Sequence, residues 1–154
     1  MKFIVGSDDA APALERVAEV LRSRGHEVVS VVVKGWGEVA LEVANAVASE
    51  TVDQGIVMCW TGTGVAMAAN KVPGVRAALC VDAATAAGAR KWNDANVLAL
   101  SLRLLSDPLA VEITDAWLGA SYGGTESESL ERMRRQEDLA AAGPPDLVRK
   151  GSPR

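Results

Sequence analysis

The chain has 154 residues, 49% of them apolar, and 16 Lys+Arg against 20 Asp+Glu leave a formal charge of −4. Residues 1–142 are read as a single domain, long enough to bury a core without disulfide or metal staples. The acidic balance argues against a nucleic-acid partner, which needs a clustered basic face, and no apolar run reaches the ~20 residues of a membrane span, so a cytoplasmic protein with small-molecule partners is expected.

Residues 2–6 read as a short apolar strand that runs into Ser7, Asp8 and Asp9, placing two carboxylates at its C-terminal tip. Pro12, followed by Leu14, Val17, Ala18 and Leu21 at helical spacing, predicts a helix that Gly25 stops. Residues 26–33 are rich in β-branched side chains and predict a second strand, after which Gly35-Trp36-Gly37 reads as a short link into a helix over 38–49. The one histidine, His26, then falls at the edge of the sheet away from the strand C-termini and is no catalytic candidate.

The third strand, residues 55–59, ends in Cys59 and passes through Trp60-Thr61-Gly62-Thr63-Gly64 into a helix over 65–71. Glycines there permit unusual backbone conformations and close approach of a ligand, and a helix start presents unpaired N–H groups. The loop reads either as an anion cradle with a thiol beside it or as an ordinary Gly-rich turn with a buried cysteine. Residues 75–81 predict a fourth strand, Asp82 and the Ala-rich stretch to Lys91 a helix, and 96–102 a fifth strand. A helix from Asp107-Pro108 through Trp117 breaks at Tyr122-Gly123-Gly124. A charged C-terminal helix follows over 126–142, and 143–154 has the composition of a disordered tail.

Strands that are almost uniformly apolar and alternate with helices predict a three-layer α/β/α domain with a five-stranded parallel sheet. Ligands of such sheets gather at the strand C-termini, which selects Asp8, Asp9, the 59–64 loop, Asp82 and Arg103. Cys59 and Cys80 each end an apolar run, and no disulfide is expected. No cluster has metal-ligand spacing, so neither metal nor cofactor is expected, and the Gly-rich loop lacks the spacing of a dinucleotide fingerprint.

Several motifs, in order over roughly residues 1–120, resemble the ribose-5-phosphate isomerase B and galactose-6-phosphate isomerase family. They are Gly6-Ser7-Asp8, Gly25-His26-Glu27-Val28, Cys59-Trp60-Thr61-Gly62-Thr63-Gly64, Ala68-Ala69-Asn70-Lys71-Val72-Pro73-Gly74, Arg76-Ala77-Ala78-Leu79-Cys80, Asn93-Asp94-Ala95-Asn96-Val97-Leu98-Ala99-Leu100 and Asp115-Ala116-Trp117-Leu118. The resemblance implies a Rossmann-like dimer or tetramer with sites at the subunit interface and no cofactor. Its aldose–ketose reaction moves a proton between C1 and C2 of a sugar phosphate through a cis-enediolate. Cys59 is the implied base, made acidic by a helix N-terminus, with Thr61 and the amides of residues 60–64, including Gly62, Thr63 and Gly64, on the enediolate oxygens. Asp8 is implied to orient a sugar hydroxyl, Asn93 to reach the neighbouring subunit's site, and Arg103 to bind phosphate; Arg132 and Arg135 align loosely with a phosphate-binding signature.

The chain also departs from the pattern. Asp9 and Trp92 stand where the family carries histidines, Trp60 replaces a glycine beside the base, and the loop after the second strand is shorter. Tryptophan cannot serve as the acid/base that opens a cyclic sugar, because its indole only donates. Trp60 and Trp92 add apolar volume, which suits a smaller substrate, and a tetrose 4-phosphate, unable to close a furanose ring, needs no ring-opening group. Asp9 beside Asp8 disfavours phosphate at that end. The alternative expectation is a catalytically impaired homologue that binds a sugar phosphate or completes its site with a related partner subunit.

Overall fold

A computed structural model describes residues 1–143 and divides the chain into two compact units that meet at Gly123/Gly124. The first unit holds a five-stranded, all-parallel sheet in the order β2-β1-β3-β5-β4, built from β1 (Lys2–Ser7), β2 (Glu27–Val33), β3 (Gln54–Cys59), β4 (Ala77–Leu79) and β5 (Val97–Ser101). Its helices are α1 (Pro12–Ser23), α2 (Trp36–Ala48), α3 (Thr63–Ala69), α4 (Ala83–Asn93) and α5 (Asp107–Leu118). The three-layer architecture expected from the apolar strands is the one observed.

Alternation along each strand divides the core in two. Phe3, Val5, Ile56, Met58, Leu98 and Leu100 face α1, α4 and α5, while Ile4, Val57, Cys59, Val97 and Ala99 face α2 and α3. β3 is buried along its whole length, which is why its sequence is apolar without a polar face. Trp117, fully buried on α5, donates its indole N–H to the Gln54 side-chain oxygen at 2.6 Å, satisfying two polar groups inside that core. Arg24 adds a two-pronged pair to Asp115, both contacts at 2.9 Å, tying the end of α1 to α5.

Two expectations change. Trp36 belongs to the first turn of α2, with Gly35 as its cap residue, instead of linking β2 to a later helix start. The fourth strand, at the sheet edge, pairs only over Ala77–Leu79, because the Arg76 N–H is taken by the Asn96 side chain at 2.7 Å and the Val81 N–H by the Thr85 hydroxyl at 3.3 Å. The second unit carries α6 (Ser127–Ala142), a charged helix on which Leu130 is the buried residue. Beyond Gly143 the segment read as a disordered tail lies outside the described residues.

Candidate active site

The geometry follows from strand register. Ser7 lies opposite Met58 across β1 and β3, and Cys59 opposite Ser101 across β3 and β5. Adjacent strands are ~4.8 Å apart, so Asp8, Cys59 and the residues after Ser101 form one row at the C-terminal edge of the sheet. Backbone bonds hold that row. Asp8 donates its N–H to the Met58 carbonyl at 3.2 Å, Leu102 to the Cys59 carbonyl at 3.0 Å and Arg103 to the Trp60 carbonyl at 3.1 Å. The buried Ser101 hydroxyl donates to the same Trp60 carbonyl at 2.9 Å.

Cys59 is 6% exposed and packs in the core layer that holds Val57, Val65 and Ala66. The turn after it is tight. Gly62 sits at φ +75°, and a Cβ there would stand 2.9 Å from the Leu100 carbonyl group, so only glycine fits on both counts. Its N–H donates to the Cys59 carbonyl at 3.2 Å and closes the turn. The implied role of the 60–64 amides is narrowed accordingly, since that donor is already engaged. The first-turn N–H groups of α3, at Thr63 and Gly64, have no acceptor within the helix. The Thr61 and Thr63 hydroxyls share a 2.7 Å hydrogen bond at the rim.

Gly64 was read as room for a ligand, and here the reading needs correction. A Cβ at Gly64 would meet the Trp36 ring at 3.1 Å, so the glycine lets the indole lie on the loop. Trp36, 52% exposed, is a site neighbour that sequence reasoning missed. The available signal was its place just after the C-terminal end of β2, on the same edge as the other strand ends. Ser101 was missed too, because a serine closing an apolar strand shows no partner until the chain is folded.

Asp8 is half-buried and Asp9 exposed. Burial raises the Asp8 carboxyl above its ordinary pKa and the neighbouring Asp9 charge adds to the rise, against a lowering backbone hydrogen bond. Arg103 is exposed and takes part in no ion pair among the described residues. Trp60 projects outward, 65% exposed. The loop, both aspartates and Arg103 therefore share one edge.

The other candidates have different surroundings. Asp82 caps α4, its carboxylate accepting the Thr85 N–H at 2.7 Å, and this bond draws its pKa down. Trp92 and Asn93 end α4, whose 11 residues carry them ~16 Å from the strand C-termini where that helix starts. The fold does not bring them to Cys59 of the same chain. Arg132 and Arg135 lie on α6 in the second unit, paired with Glu128 at 3.6 Å and Glu131 at 3.2 Å. Cys80 is a buried thiol pushed up to about 11 by desolvation, and both cysteines are free. A cleft of about 670 Å³ opens at the opposite, N-terminal edge of the sheet, lined in part by Gln54, Arg76, Arg90, Asp94 and Asn96. Its lining has carboxylates and arginines but, among the described residues, no thiol or hydroxyl side chain. Among the described residues no group of three or more His, Cys, Asp or Glu gathers as metal ligands, and no helix is long and apolar enough to cross a membrane.

Known proteins resemble this chain over most of its length. The Ribose/Galactose Isomerase family model matches residues 3–135. Ribose-5-phosphate isomerase B of Escherichia coli is 46% identical over 95 residues, a stretch that spans 61% of this chain and 64% of that protein. D-erythrulose-4-phosphate isomerase of Pectobacterium atrosepticum is 36% identical over 141 residues, covering 86% of this chain and 93% of the relative. Galactose-6-phosphate isomerase subunit LacB of Clostridium acetobutylicum is 35% identical over 145 residues, 90% of this chain and 83% of the subunit. The solved structure of Clostridium thermocellum ribose-5-phosphate isomerase B superposes with a TM-score of 0.85 at 39% identity, covering 90% of this chain and 98% of that one. The chain belongs to the Ribose/Galactose Isomerase family of sugar-phosphate isomerases.

Proposed function

We propose that this protein interconverts the aldose and ketose forms of a small sugar phosphate, with Cys59 as the base. The observation that carries the reading is the placement of the Cys59 thiol at the tip of the central strand, one strand from Asp8 and one strand from Arg103. The thiolate removes the proton from C2 of the open-chain aldose and the resulting thiol returns a proton to C1. The C2 hydroxyl gives up its proton as it becomes the ketone and the aldehyde oxygen takes one as it becomes the C1 hydroxyl, so no atom is gained or lost. Negative charge that develops on the enediolate oxygens faces the Thr63 and Gly64 N–H groups and the Thr61 hydroxyl. Asp8, with its raised pKa, orients a sugar hydroxyl, and Arg103 meets the phosphate.

For the substrate we favour a tetrose 4-phosphate over a pentose 5-phosphate. Trp36 and Trp60 flank the loop as large exposed rings, and one of the relatives that match over most of both chains is named for erythrulose 4-phosphate. The assembly is a homodimer or tetramer in which Asn93 serves a neighbouring subunit, since it stands a helix length from its own Cys59. Exposed Trp92 and Leu79, which line one groove along α4 with Asn93, supply apolar surface for such an interface. Likeness to a LacB subunit supports a second reading, in which a related chain completes the site.

Solvent-deuterium incorporation followed by NMR tests the reading. Exchange at C1 or C2 is expected with erythrose 4-phosphate, more slowly with ribose 5-phosphate, and is expected to fall by at least ~100-fold in Cys59→Ala. Exchange that survives Cys59→Ala removes the cysteine from the mechanism, and absence of exchange with every sugar phosphate favours the partner-dependent reading.

A further inference from the structure

The residue after Asn93 caps α4 in a left-handed conformation and is gripped by side chains from outside the helix. Asp94 has φ +47°, in the left-handed region that side chains other than glycine, asparagine and aspartate seldom occupy. One guanidinium grips it twice. Arg76 donates from Nε to the Asp94 carbonyl at 2.6 Å and from Nη2 to the Asp94 carboxylate at 2.9 Å, while its Nη1 donates to the Gly74 carbonyl at 3.1 Å. Asn96 completes the frame: its Oδ1 accepts the Arg76 N–H at 2.7 Å and its Nδ2 donates to the Gly74 carbonyl at 3.0 Å. On the other side Arg90 donates to the Ala95 carbonyl and comes within 4.0 Å of the Asp94 carboxylate.

Backbone and side chain of one residue are thus fixed together by a planar fork that lysine cannot reproduce. Asp94 is also the carboxylate shared by two arginines, one of them largely buried. These bonds order long side chains at the N-terminal edge of the sheet, away from this chain's own Cys59, and the residue they leave exposed is Asn93.

We infer that Arg76 and Asp94 are positioning residues that lock the left-handed turn after α4, so that Asn93 is presented in one fixed geometry to the Cys59 site of a second copy of the chain. The inference rests on the proposed interface site. It predicts that damage to the clamp is felt in the partner's site and not in the chain's own.

Mixed assemblies made by co-expressing two differently tagged chains read this out. Cys59→Ala paired with Asn93→Ala leaves one site with an intact cysteine and an intact asparagine, and about half of wild-type activity per mixed dimer is expected. An inactive pair overturns the interface reading itself. Arg76→Lys alone is expected to lose kcat roughly tenfold or more with its thermal midpoint near that of the wild type. Paired with Cys59→Ala, the Arg76→Lys chain keeps its own cysteine and receives a correctly held Asn93, so activity is expected to return to about half. A mixed assembly no better than the Arg76→Lys parent places the defect within that chain and overturns the inference. Asp94→Gly supplies a second arm, because glycine adopts the φ freely but offers no carboxylate. Full kcat in the Asp94→Gly homodimer overturns the inference as well.

Discussion

At the scale of single residues, Asp8 and Cys59 occupy neighbouring strand ends. Asp8 is held above its ordinary pKa mainly by burial, with Asp9 adding to the rise, so its ionised form is disfavoured in the folded protein relative to the unfolded chain. Stability linked to Asp8 is complete below the unfolded value of 3.8 and is lost as pH rises through the higher folded value. Asp8→Asn is therefore expected to raise the thermal midpoint at pH 7 while lowering activity, and the stability gain is expected to vanish below pH 3.8. Melting curves across pH check this, and a gain that persists at low pH would assign it to packing. Much of this site was visible from residue types alone, since Asp8, Cys59 and the glycines after it announce a strand end and a tight turn. Trp36 was not, because nothing local to a tryptophan says that a glycine 28 positions later leaves space for its ring.

At the scale of elements, the β3–α3 turn shows what a loop sequence encodes. Gly62 needs a positive φ and has no room for a methyl group against the Leu100 backbone. Gly62→Ala is expected to cost about 1–3 kcal/mol in denaturant unfolding, and isomerase activity is expected to drop with it because the turn carries Thr61 and Thr63. A stability change within ~0.5 kcal/mol would mean that the turn relaxes into another conformation. Helix starts and stops were largely legible: Pro12 and Gly25 bracket α1, and Ser106, ahead of Asp107 and Pro108, caps α5 by accepting the Leu109 N–H. The end of β4 was not legible. Its apolar run continues to Val81, but pairing stops at Leu79 although β5 runs on to Ser101, and the Val81 N–H goes instead to the Thr85 hydroxyl at 3.3 Å.

At the scale of the whole molecule, the proposed reading puts the chemistry at the tip of the central strand and Asn93 at the far end of α4, so that a complete site requires a second chain. Sedimentation at micromolar concentration is expected to give twice the chain mass or a higher multiple, and a stable monomer with full activity would remove the interface site. From its sequence alone the chain's class, its parallel sheet, its Cys59 loop and its family were determined, because each rests on local propensity, hydrophobic period and short motifs. Only the tertiary structure decided the order β2-β1-β3-β5-β4, the seat of Trp36 on Gly64, and the separation of Trp92 and Asn93 from the cysteine that precedes them in sequence. The reason is the same in each case. Neighbours across a sheet, or across a helix and a loop, are chosen by packing between segments far apart in the chain, and no local pattern records which of the sterically equivalent partners a segment will meet.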